Sequence, residues 1–373
     1  MDFTLNEEQQ AVQDLAEQIF AGSATAERVK EVEAGPDRVD WHLWAQLAEA
    51  NLLGIALPEE AGGSGLGILE LALLLEQQGR RVAPVPLLAT LVMAALPIAE
   101  FGTSEQRAAW LPRVVSGDAV LTAALAETGD GDATRPSSVA RKGRSGEWRL
   151  QGRCVSVPYG HVAACVLVPA RTEEGLSVFL VDPADPGVDR LRAETTNHEI
   201  HPHLLLDDVP GDRLGGPANG RFVVKWMLER SLVGIAALQV GVAEEALRQA
   251  ADYTSNRIQF GRPLSTFQGT ALKAADGYID TEAMRVTLWQ AAWRLSAGRD
   301  ATAAVSVAKW WASQGGQQVV HSTQHLHGGL GSDIEYPVHR YFLWGKQLED
   351  TLGGAGLQLA RLGRHLATVD GER

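Results

Sequence analysis

Two textures of apolar patterning divide this chain, and their order limits what it can fold into. Up to Gly117, and again from Phe222 onward, apolar residues recur at three- and four-residue intervals over long windows, the period of an amphipathic helix. From Val120 to about Val209 the apolar runs are short, β-rich and bounded by Gly, Pro and Asp. Residues 162–168 and 176–181 are examples, the second ending at Asp182-Pro183. The predicted fold is α+β and multidomain: an N-terminal helical domain (1–116), a middle β-domain (117–220) and a C-terminal four-helix bundle (221–373). At 373 residues the chain is long enough for two or three domains with sizeable cores.

Local signals set the elements. Asn6 and Gln9 have capping-box spacing ahead of Val12, Leu15, Ala16 and Ile19. Asp40 precedes a second amphipathic run with Leu43, Trp44 and Leu47, which Pro58 and the glycines to Gly65 break. A third helix carries Leu69, Leu73 and Glu76, and a fourth lies near 87–99. Gly102 and Thr103 end one helix and start another, with Trp110 on it. The polar stretch 129–146 reads as a loop and 210–220 as a linker leaving the β-domain. The bundle is predicted as helices at 222–256, about 267–297, 302–321 and about 356–366. On the second of these, Ala271, Ala275, Ile279 and Met284 are expected to face inward.

Charge and cysteine content exclude some functions. With 33 Lys and Arg against 46 Asp and Glu, the net charge of −13 argues against nucleic acid or an anionic membrane as partner. Cys154 and Cys165 are the two cysteines and suit a reducing compartment. The acidic N-terminus has no basic and apolar signal-peptide pattern, and no run reaches the ~20 apolar residues of a membrane span. A cytoplasmic protein is expected.

The richest candidate site is residues 257–268, Arg-Ile-Gln-Phe-Gly-Arg-Pro-Leu-Ser-Thr-Phe-Gln. Arg257 is a permanent cation whose fork suits phosphate oxygens. Phe260 and Gly261 supply an aromatic face and a bare backbone turn, Pro263 blocks helix, and Gln268 adds an amide at the next helix. Together they suit a nucleotide-like ligand; a helix–loop–helix turn with a surface Arg is the plainer alternative. A second stretch, Gln324-His325-Leu326-His327-Gly328-Gly329-Leu330-Gly331, has glycines that permit close backbone approach to an anion. His198, His201 and His203, and the pair His321 and His325, form no convincing metal set, so no metal is expected.

The spacing of both stretches, with Glu335-Tyr336-Pro337 after the second, resembles the acyl-CoA dehydrogenase family, over nearly the whole chain. The resemblance implies the helical, β, helical-bundle architecture, an FAD cofactor, an acyl-CoA substrate and electron-transfer flavoprotein as acceptor. In that family a carboxylate takes the α-proton and the flavin takes the β-hydride. Arg257, Phe260, Gly261, Gln268, His325, Gly328 and Gly329 would hold the adenosine-pyrophosphate end of a neighbouring subunit's FAD, with His325 in place of the usual Gln.

The resemblance also shows departures. Most members carry the base in a turn whose position here is Leu352, which accepts no proton. A minority place it at the start of the first bundle helix, here Glu229, followed by Arg230. Glu229 is the candidate base; an ordinary paired or solvated Glu is the alternative. The family's flavin-covering Trp and Thr appear as Ser156 and Pro158, within Gln151-Gly152-Arg153-Cys154-Val155-Ser156-Val157-Pro158-Tyr159, and its Thr-Glu-Pro segment as Ala126-Glu127-Thr128. A chain with one good half-site suits a partner that supplies the other. With His339-Arg340-Tyr341-Phe342-Leu343 and Leu352-Gly353-Gly354-Ala355, it resembles the smaller subunits of heterotetrameric (α2β2) acyl-CoA dehydrogenases that shorten steroid side chains. Those small subunits tend to lack a base, so Glu229 is either an exception or a relic. The expected role is a subunit acting on a bulky steroid-type acyl-CoA with a homologous partner. The alternatives are a non-catalytic subunit that completes the partner's FAD site and an acyl-CoA oxidase-like flavoenzyme.

Overall fold

The computed structural model describes residues 4–128, 131–143, 145–216 and 220–371. The chain divides into two units: residues 1–29, 68–83 and 232–373 form the first, and 30–67 and 84–231 the second.

The second unit is built on strands. They are β1 (Leu121–Ala123), β2 (Val139–Lys142), β3 (Trp148–Cys154), β4 (Cys165–Thr172), β5 (Gly175–Val181), β6 (Val188–Leu191) and β7 (His203–Arg213). Pairing runs β4–β2–β3–β7–β5 and returns from β5 to β4, so these five strands form a closed circuit; β1 adds to β4 and β6 to β7. Closure leaves few unpaired edges. Leu150, Val166, Val168, Phe179, Leu204 and Val209 fill its core. β4 is buried at six successive positions, which is why it reads as a continuous apolar run rather than an alternating one.

Strand β2 corrects the loop expected over 129–146: its residues pair antiparallel with β3, from Val139↔Gln151 to Lys142↔Trp148. Residues 129, 130 and 144 of that stretch lie outside the described residues. The linker expected at 210–220 is also shortened, because β7 continues to Arg213; residues 217–219 lie outside the described set. Helix α2 (Ala26–Glu33) contains the division between the two units in the chain, and helices α3 (Trp41–Glu49), α5 (Leu96–Phe101) and α6 (Ser104–Val115) belong to the second unit. Asp40 caps α3 and a Thr103–Gln106 capping box opens α6. Residues Leu88–Ala95, before α5, form a wide π-type turn series.

The first unit is helical: α1 (Glu7–Ser23), α4 (Ile68–Arg81), most of α7 (Gly220–Asn256), α8 (Gln268–Ser296), α9 (Thr302–Leu326), α10 (Val338–Asp350) and α11 (Ala355–Gly371). The Asn6–Gln9 capping box opens α1 as its spacing predicts. Helix α10 is an element that the periodicity did not separate. Helix α7 is the one described helix long and apolar enough to cross a membrane, and 83% of its apolar window is buried inside the protein. Helices α4 and α7 touch closely: a Cβ on Gly241 would lie 2.0 Å from the Glu76 carbonyl oxygen. Beside that crossing Glu76 is 1% exposed, and Arg285 from α8 binds it at 2.7 Å and Glu244 at 2.6 Å. Burial raises the Glu76 carboxyl above its usual range, outweighing the opposing pull of Arg285.

The inward face predicted for 267–297 is corrected in part. Met284 is buried, but Ala271 and Ala275 are exposed and Ile279 is 61% exposed. Leu272, Ile279 and Val286, one heptad apart, form an outward apolar stripe on α8.

Removing Arg285 leaves the buried Glu76 carboxylate with the more distant Arg80, 4.0 Å away, in place of its 2.7 Å partner. Arg285→Met is therefore expected to lower unfolding free energy by about 3 kcal/mol, with Glu76→Gln/Arg285→Met regaining part of the loss. Urea denaturation of the three proteins tests this; equal midpoints for the single variant and the parent would contradict it.

Candidate functional site

After α7 the chain makes a two-residue hairpin. β8 (Ile258–Gln259) pairs with β9 (Arg262–Pro263), with Phe260 and Gly261 at its tip. Both tip residues have positive φ, 54° and 80°, as a type I′ turn requires. Gly261 takes this backbone without cost, but a phenylalanine there is strained. Strain at an exposed tip needs a reason, because Phe260 is 90% exposed and buries little within its own unit. Its ring meets Phe267 edge-on at 6.1 Å, and the Arg262 guanidinium sits 4.1 Å over Phe267.

The hairpin leads to the start of α8, 29 residues long, with Gln268 as its first residue, no side-chain cap and no acid in its first turn. Uncapped N–H groups there, next to Arg257 and Arg262 in sequence, favour an anion. The second glycine stretch reaches the same end of this unit. His325 lies in the last turn of α9, and Gly328 and Gly329 follow it in a 3-10 turn, exposed and with nothing within 4 Å of an added Cβ.

Tyr253 near the end of α7 stacks on His327 at 4.8 Å, and the Tyr336 ring lies tilted against the same imidazole at 5.5 Å. Sequence reasoning did not single out this stack, whose three rings come from separated segments; aromatic residues beside both motifs were its one signal. His327 is buried, and its Nδ1 donates to the Thr323 carbonyl at 2.7 Å. All seven residues expected at a dinucleotide tail, Arg257, Phe260, Gly261, Gln268, His325, Gly328 and Gly329, are exposed.

The loop where the resemblance puts the flavin-covering residues is different. The Ser156 N–H donates to His203 Nδ1 at 2.9 Å and the Val157 N–H to the Pro202 carbonyl at 2.9 Å, while Pro158 has no N–H. Val157 and Tyr159 are buried, and the Tyr159 hydroxyl donates to Glu199 at 2.7 Å. Burial, with Glu199 beside it, holds that hydroxyl well above its ordinary pKa. His201 bonds the other Glu199 oxygen at 3.0 Å. Ser156 and Tyr159 both have positive φ, 47° and 52°, so the loop is tightly wound and tied down.

Glu229 lies on the first part of α7, 16% exposed, with its Oε1 3.6 Å from the Lys225 ammonium one turn earlier. The next residue, Arg230, stacks 3.5 Å over Trp226, and burial pulls its pKa down to about 10 against the opposing pull of Glu229. In the first unit Leu352 follows α10 with φ 56°. Lys309 from α9 is wholly buried there; burial pulls its pKa down to about 7, opposed by Asp350 and Glu349. Elsewhere in the second unit, a groove of about 800 Å³ is lined by Trp110, Trp148, Asp182, Asp212 and Arg213 and contains none of the expected site residues.

Residues 218–367 match the acyl-CoA dehydrogenase C-terminal domain and residues 6–118 its N-terminal domain. The chain belongs to the acyl-CoA dehydrogenase family. Acyl-CoA dehydrogenase FadE27 of Mycobacterium tuberculosis is 41% identical over 379 residues, 98% of this chain and 99% of the relative. Among solved structures, a Tcur3481-Tcur3483 steroid ACAD variant superposes with TM-score 0.94 at 50% identity, covering 99% of this chain and 100% of that one. A chain of the ChsE4-ChsE5 complex from Mycobacterium tuberculosis gives 0.92 at 41% identity, covering 98% and 99%.

The hairpin tip yields a prediction in two directions. In this acyl-CoA dehydrogenase, Phe260→Gly is expected to relieve about 1 kcal/mol of backbone strain and raise the melting temperature slightly. It should also reduce flavin retention. Unchanged flavin content in a more stable variant would show that the exposed ring has no part in binding.

Proposed function

We propose that this chain is one subunit of a heteromeric FAD-dependent acyl-CoA dehydrogenase that desaturates a bulky, steroid-type acyl-CoA. In this reading it grips the adenosine-pyrophosphate end of the cofactor, and a homologous partner covers the ring. One contrast carries the proposal: the seven tail residues are open to solvent, whereas loop 156–160 has its N–H donors at Ser156, Val157 and Gly160 committed within the chain. The tail residues fit FAD: a guanidinium, an uncapped helix start and bare glycines suit a pyrophosphate. The ring-facing loop does not fit, having neither an aromatic cover nor a spare donor at Pro158.

Bound FAD would accept the hydride from the β-carbon. This chain's residues would bind and orient its tail, and the remaining requirement is a base for the α-proton, an acid too weak to release it unaided. Glu229 is the chain's candidate, partly buried beside Lys225. The outward stripe of Leu272, Ile279 and Val286 supports burial against another subunit, as does the exposed Phe260. The α2β2 assembly and electron-transfer flavoprotein as acceptor belong to the same proposal. An apolar Leu352, and the steroid ACAD relative, support the substrate class.

Co-expression with a homologous partner tests the assignment. The pair is expected to hold one FAD per heterodimer and the lone chain little, with Arg257→Ala lowering flavin affinity about tenfold or more. A lone chain with stoichiometric flavin and full turnover would refute the shared-site reading. In the complex, Glu229→Gln is expected to lower kcat by about a hundredfold or more with flavin content unchanged. Full turnover would assign the base to the partner instead.

A further inference from the structure

Leu272, Ile279 and Val286 line the outward side of α8, and Ile258 and Phe260 sit on the hairpin just before it; each is more than half exposed. An apolar surface of this kind is unfavourable in water and marks a face that another molecule covers. Acids flank the stripe on both sides. At about 100° per residue, Asp276 lies about 60° to one side of Ile279 and Glu282 about 60° to the other, with Asp280 one turn beyond Asp276. Among the described residues, Asp276 and Asp280 have no side-chain hydrogen bond or ion pair inside the chain, and Lys273, on their flank, bridges neither. Glu282 is held only at 3.4 Å, by Arg285, whose other nitrogens serve Glu76 and Glu244. Like charges one turn apart disfavour each other. Partial burial, and then the Asp276 charge, raise the Asp280 carboxyl above its ordinary pKa.

A second copy of this chain fits the face poorly. A two-fold pair is isologous, so the patch meets itself. With α8 antiparallel to its copy the same flanks meet, which sets Asp276 and Asp280 of one chain against the same acids of the other. With the helices parallel the opposite flanks meet, which sets those acids against Glu282. In both arrangements like charges at the edge oppose the apolar attraction, on a chain whose net charge is already −13. A surface that is apolar at its centre and acidic along both edges is complementary to one with an apolar centre and basic edges.

We propose that the outward face of α8 docks a non-identical subunit, one whose facing surface is apolar and carries lysine or arginine level with Asp276 and Asp280, and that the acidic flanks exclude self-pairing. That this subunit is a homologous acyl-CoA dehydrogenase chain rests on the function proposed above; the exclusion of self-pairing does not.

Sedimentation velocity tests the exclusion on the full-length chain alone. The parent, Asp276→Lys/Asp280→Lys and an equal mixture of the two are compared. The mixture is expected to associate about tenfold or more tightly than either protein by itself, and the excess should vanish at about 1 M salt. Asp276→Asn/Asp280→Asn, which only removes the repulsion, should self-associate about fivefold more tightly than the parent and serves if the lysine variant does not fold. Equal association in every case would overturn the exclusion. So would a parent chain that dimerises through this face, with Ile279→Ser making it monomeric. In the co-expressed complex, Asp276→Lys/Asp280→Lys and Ile279→Ser should each weaken the heteromer about tenfold or more; unchanged affinity in both would overturn the docking face. Failure of the shared flavin site would appear in the flavin stoichiometry and would leave the self-association results standing.

Discussion

A backbone N–H that is committed inside the chain is not available to a ligand, and this constraint separates the two halves of the proposed cofactor site. Around 156–160 the donors of Ser156, Val157 and Gly160 are taken by His203, Pro202 and Val157, and Pro158 has none to give. Buried Tyr159, tied to Glu199, keeps the loop in that conformation. Reopening it for a ring would break several buried hydrogen bonds, each expensive to leave unmade. At the start of α8 the opposite holds, because the helix begins without a side-chain cap and its first N–H groups face outward beside two arginines in sequence. One segment is closed by its own chemistry, and the other is left incomplete.

Incompleteness also explains the surface of the helical unit. Apolar side chains at Leu272, Ile279 and Val286, and a strained aromatic at Phe260, are unfavourable in water. They make sense in a chain that buries them elsewhere. The internal structure of this unit does not need them: the Glu76–Arg285–Glu244 ion cluster and the close crossing at Gly241 tie α4, α7 and α8 together without help from the outer face. The outer face of α8 is therefore not needed for the ion cluster and helix crossing inside the unit.

Much of the fold was legible because its signals are local. The Asn6–Gln9 capping box depends on residues three apart and formed, and Thr103 opens a helix where the sequence placed a helix start. The buried run of β4 and the long helices of the C-terminal region were readable for the same reason. What could not be read depends on partners distant in sequence. Val-Ala-Arg-Lys is too short and too polar to announce a strand until β3 lies beside it. Periodicity showed that α8 has an apolar stripe including Ile279 but not what covers it, since a stripe for another subunit has the same spacing as a stripe for the core.

Lys309 is the sharpest case of that limit. In the run Val305-Ser306-Val307-Ala308-Lys309 it reads as a polar residue on an amphipathic helix, yet it is wholly buried. Its acceptors are the carbonyls of Leu348, Glu349 and Gly353, groups with no sequence signature because every residue carries one.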